Sequence, residues 1–203
     1  MPVLKVRPRA LVLGAASALF LAIALPGAVL HGFSLAASWE VYSRPALTLD
    51  DHNGIKHAYA AAEIYTLLRS FAGPECAAAA VITLGEWNER IERRLKRTTD
   101  WSPEVYKDLR NNLIGIEAAE WLYAEAGFLF PRTRLRLIGK LAQEGVVLAL
   151  DSDPRIPELP LAPDTGSALA RMEQDERDLR IAIAADIAAR APDLRTELGL
   201  VAR

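Results

Sequence analysis

Three segments of this 203-residue chain carry side chains that could do chemistry together. In `HNGIKHAYAAAEIY`, residues 52 to 65, His57 sits among alanines and isoleucines. At about 100° per residue it shares a helical face with Asn53, Ala60, Ala61, Ile64, Leu68 and Phe71. In `VITLGEWNERIERRL` the apolar stripe is Val81, Leu84, Ile91 and Leu95, with Asn88 near its middle and Gly85 and Glu92 on its border. In `KDLRNNLIGIEAA` Asp108, Asn112, Gly115 and Ala119 succeed one another at spacings of four, three and four, beside the apolar stripe of Leu109, Leu113 and Ile116. Each segment therefore turns a polar group inward, and such groups cost about 1–3 kcal/mol if buried unpaired. They must bond each other, water or an ion.

The chemistry open to such a set is limited. A histidine oriented by Asp108 titrates near neutrality and can act as general base or acid. No activated serine or cysteine accompanies it, so hydrolysis would have to use water directly. No cofactor is required by the residues present. A divalent metal would need His57, Asp108 and one of Glu86, Glu89 or Glu92, an oxygen-rich sphere with a single imidazole. The alternative is a polar network that fixes helix register.

The elements that must position these residues read as all-α. One helix runs from about Asp51 to Phe71, where `AGP` breaks it; a second from Pro74 to Arg97. A third opens at `SPEV`, with Ser102 as cap and Pro103 in the first turn, and closes at Gly127. A fourth covers Arg132 to about Leu150. The stretch `DSDPRIPELPLAPD` is too proline-rich for helix or central strand. A last helix, Thr165 to Ala191, carries Leu169, Met172, Leu179, Ile183 and Ile187 as a seam that must pack on the body or on a protein partner. The chain thus divides into an export segment with its juxtamembrane stretch (1–45), a helical bundle (46–150), a Pro-rich connector (151–164) and a C-terminal helix with tail (165–203).

The address comes from the N-terminus. Lys5, Arg7 and Arg9 precede Ala10 to Leu30, a run without charge that is long enough for the roughly 30 Å hydrocarbon layer. The basic flank stays inside, which makes the membrane a partner and exports the rest of the chain. Two outcomes are open: an inner-membrane anchor with a periplasmic C-terminal domain, or a cleaved signal and a secreted or periplasmic protein. Trp39 and Tyr42 would lie at the lipid interface. Cys76 is alone, so there is no internal disulfide; it is expected to be a small core residue. A net charge of −2, with no zinc-finger spacing and no phosphate loop, argues against nucleic acid.

The order `NGIKHAYAAA`, `GEWNE`, `KDLRNNLIG` resembles an uncharacterised helical domain of bacterial secreted, membrane-associated and toxin-like proteins, over about residues 50 to 125. Its elements are an Asn-x-x-x-His-Ala start, a His/Asn-Glu pair and an Asp-Leu-x-Asn-Asn-x-x-Gly segment. Here they fall on Asn53 and His57, on Asn88 and Glu89, and on Asp108, Asn111, Asn112 and Gly115. The resemblance implies that His57, Glu89, Asp108 and Asn112 belong to one site. Where the resembling chains carry histidine before the glutamate, this one has Asn88, which removes one base or ligand. Two functions are expected: a membrane-anchored structural or interaction module of the cell envelope, or an envelope hydrolase of lipid or cell-wall material. The second would use His57, Glu89 and Asp108 catalytically, with Asn53, Asn88, Asn112 and Gly115 in binding.

Overall fold

The computed structural model of the chain describes residues 49–96, 103–127, 131–157 and 165–200. Among these it has six helices: α1 (Leu49–Ala72), α2 (Pro74–Lys96), α3 (Pro103–Ala126), α4 (Pro131–Gln143), α5 (Thr165–Ala189) and α6 (Ala191–Leu198). The N-terminal apolar run, Trp39 and Tyr42 lie outside the described residues. No described helix is long and apolar enough to cross a membrane.

Prolines open α2, α3 and α4, where their missing N–H would be unsatisfied in any case. A single residue, Gly73, separates α1 from α2, so the two form a tight antiparallel pair. Helix α3 is the axle of the bundle. It packs against α1, α2, α4 and α5, and residues on every side of it are buried, from Val105 and Tyr106 to Ala118 and Leu122. Tyr65, Ile114, Leu135, Ile138 and Leu141 fill the core around it.

Small residues let α1 and α3 touch backbone to backbone. A Cβ on Gly115 would stand 2.0 Å from the Ala58 carbonyl oxygen. That oxygen belongs to a helix and cannot yield without moving it. Gly115→Ala should therefore destabilise by about 1–3 kcal/mol despite alanine's better helix propensity. Urea denaturation checks this, with a lowered midpoint expected and an unchanged or raised one contradicting the close crossing.

Several expected boundaries shift. The fourth helix stops at Gln143 rather than near Leu150, because Gly145 adopts φ 72° and the Val146 N–H turns back to the Leu141 carbonyl at 2.8 Å. The apolar run beyond it is buried in an extended course. Asn111 holds it as a neighbouring strand would, donating to the Leu148 carbonyl at 2.8 Å and accepting from its N–H at 2.9 Å. The last helix breaks at Arg190, whose φ of −94° and ψ of −1°, together with Pro192, start α6. The second half of the C-terminal seam packs on the body: Ile183 and Ile187 are buried and Leu179 lies against the core, while the side chains of Leu169 and Met172 lie outside those described.

The apolar stripe of α2 also divides. Val81 is buried and Leu84 half-buried, but Ile91 is 36% and Leu95 78% exposed, since no described element covers the C-terminal half of the helix. Phe71, expected to face inward from the last turn of α1, is 83% exposed. Cys76 is exposed rather than in the core, about 100° of helix rotation from the buried Ala77.

Candidate active site: a cleft at His57

Helices α1, α2 and α3 enclose a cleft of about 570 Å³, within the usual range of small-molecule sites. Asn53 and His57 face it from α1, one turn apart, and Asp108 and Asn112 from α3, one turn apart. The register of the two helices sets these pairs opposite each other. His57 Nε2 lies 3.4 Å from Asp108 Oδ2, and Asn53 Nδ2 lies 3.5 Å from Asp108 Oδ1. Asn112 stands beside the imidazole and favours its protonated form. Gly85 of α2 makes room for that amide, since a Cβ there would come within 2.6 Å of Asn112 Nδ2. Both contacts to Asp108 are longer than an ideal hydrogen bond.

Burial dominates the electrostatics. Together with the neighbouring Lys56 ammonium it pushes the His57 imidazole down from 6.5 to about 4. Asp108 moves the other way, from 3.8 up to about 8, by burial first and the Glu89 carboxylate second. Lys107, tied to Asp151 at 2.7 Å, opposes that rise. Two groups in contact share their protons, so the pair titrates in steps near pH 4 and pH 8 and holds one dissociable proton in the interval separating those steps. The upper step lies close enough to neutrality for proton transfer to and from a substrate.

The structure brings Asn53, His57, Asp108 and Asn112 together. Asn88 is exposed at the rim of the cleft rather than directed inward, and Glu89, one residue and about 100° further round α2, is the buried one at 2% exposure. Glu89 does not line the cleft. Its carboxylate raises the Asp108 pKa through charge. Gly115 is occupied by the α1 crossing and touches no part of the cleft. Of the three expected third ligands only Glu92 joins His57 and Asp108 on the lining, and among the described residues no three His, Cys, Asp or Glu side chains gather as a metal site.

Two polar residues of the lining are absent from the set expected on sequence grounds, Lys56 and Glu104. Glu104 was within reach, because it stands one turn before Asp108 and extends the strip of Asp108 and Asn112. The apolar half of the cleft, with Ile64, Val81 and Leu84, was legible as core but not as a cavity wall. Neither a family model, nor a curated protein, nor a solved structure matches the chain.

Proposed function

We propose that this chain is a hydrolase of the cell envelope that activates water at His57. The observation that carries the reading is a cleft opening onto a contacting pair, a half-buried His57 and a buried Asp108, whose upper protonation step falls near pH 8. A pair serving only to fix helix register needs no such opening. With both dissociable protons gone, neutral His57 can take a proton from water while Asp108 orients the ring and stabilises the imidazolium. The water oxygen bonds to the acyl carbon of the substrate, its proton moves to His57, and the leaving oxygen departs with that proton. The ring nitrogen that Asp108 does not engage is the one that takes the proton, and Asn53 holds Asp108. The resemblance over residues 50 to 125 supports the same grouping, and the basic lead and apolar run before residue 31 support the envelope address.

The test is hydrolysis of a panel of short acyl esters by the full chain and by His57→Gln, followed from pH 5 to 10. The expected result is turnover that rises with unit slope to a plateau above about pH 8 and is lost in His57→Gln. A pH-independent rate, or equal rates in both proteins, would refute it.

A second reading, an anchored structural or interaction module, draws on the contacts of Asn53 and His57 with Asp108, which join α1 to α3. It expects His57→Gln to change stability while no ester is turned over.

A further inference from the structure

The cleft is polar at one end and apolar at the other, and this gradient names its occupant. Because α1 and α2 run antiparallel, the polar end gathers the start of α1, the end of α2 and the first turns of α3. Lys56, Glu92 and Glu104 stand there beside His57 and Asp108. The other end, toward the Gly73 turn, is walled by Ala60, Ala61, Ile64, Val81 and Leu84. A ligand that filled the whole cleft would need an uninterrupted apolar stem and a polar head of its own.

A second observation bears on the source of that ligand. Trp87, Ile91 and Leu95 recur every four residues on α2 and are 49%, 36% and 78% exposed, and Trp87 and Ile91 are also part of the cleft lining. The exposed Arg90 and Arg94 flank them. A Trp-led apolar stripe edged by arginines is the composition of a helix lying in a lipid–water interface. Its continuity with the cleft gives a path from bilayer to site that does not cross water.

We infer that the cleft takes an acyl chain of a bilayer phospholipid between Ile64, Val81 and Leu84, with the headgroup end at His57. Lys56, Glu92 and Glu104 bring both signs of charge to that end, which suits a zwitterionic head over a singly charged one. The inference rests on the hydrolase reading only for the reaction, not for the binding.

The experiment uses the full chain in phosphatidylcholine liposomes doped with a phosphatidylcholine that carries a diazirine on its acyl chain. After irradiation, label is expected on the peptides bearing Ile64 and Leu84. It should fall several-fold in Leu84→Trp, which fills the apolar end, and also in Ile91→Glu, which interrupts the stripe at a position without a core role. Absence of label from both peptides, or equal label in the folded variants, overturns the inference. The two proposals fail separately: label without ester turnover removes the hydrolase and leaves the lipid site, whereas turnover of soluble esters without label does the reverse.

Discussion

Arg134→Ala should cost the fold about 3–5 kcal/mol, the largest loss expected of any single substitution in the bundle. Arg134, in the first turn of α4, and Glu63, in the middle of α1, are each only 5% exposed. They meet in a two-pronged pair, Nε to Oε1 at 2.5 Å and Nη2 to Oε2 at 2.8 Å. Removing the guanidinium leaves a carboxylate buried in the bundle with its main counter-charge gone. Desolvation then dominates, because a charge in a low-dielectric interior depends on its partner. The paired replacement Glu63→Leu with Arg134→Met removes both charges and keeps apolar volume, so it should lie within about 1–2 kcal/mol of the parent or above it. Urea denaturation separates the cases: a midpoint that drops sharply in the single variant and recovers in the double one is expected. Glu63 lies six residues after His57 on the same helix, so hydrolysis should also recover in the double variant. A single variant as stable as the parent would show that the pair is not buried as described.

Asp108→Asn should abolish most turnover while making the protein more resistant to alkaline pH. An asparagine cannot stabilise an imidazolium, and loss of that support costs about 10²–10⁴ in rate. The stability effect has the opposite sign. Asp108 has a folded pKa raised from 3.8 to about 8, so its folded state holds the proton more tightly and stability is lost as pH rises through that window. His57, lowered from 6.5 to about 4, contributes the reverse slope between those values. The two oppose each other below pH 6.5. Between 6.5 and 8 only Asp108 remains, and the parent should lose about 2 kcal/mol there. In Asp108→Asn that decline disappears, leaving the His57 slope alone, so stability rises from pH 4 to 6.5 and is then level. Denaturation midpoints in a pH series check this directly. A decline from pH 6.5 to 8 that survives in the variant would assign it to another group.

These two cases mark what the sequence could and could not reveal. Most helix starts were legible because proline and glycine act locally: Pro74, Pro103 and Gly127 stand where the helices begin or end, whereas the short α6 after Arg190 was not foreseen. The juxtaposition of His57 with Asp108 and Asn112 came from helical spacing, since one buried face per helix leaves few places for inward polar groups. Adjacent residues were harder. Asn88 and Glu89 differ by one step of rotation, and the apolar stripe of α2 pointed to Asn88 because Ile91 and Leu95 were counted as inward. Their exposure rotates the true inner face toward Glu89. The end of α4 was misplaced because `VVLAL` suits a buried helix or a buried extended run equally well, and the choice is made by Asn111, 37 residues away. The pairing of Glu63 with Arg134, 71 residues apart, leaves no local trace.

Histidine NMR tests the central claim most directly. With the full chain ¹⁵N-labelled at histidine, the His57 ring nitrogens can be assigned by comparison with His57→Gln and followed from pH 3 to 10. Two inflections are expected for this ring, near pH 4 and near pH 8, with the upper one missing in Asp108→Asn. A single inflection near 6.5 that ignores Asp108→Asn would contradict the claim, because His57 would then be an ordinary solvated imidazole with no partner in proton transfer.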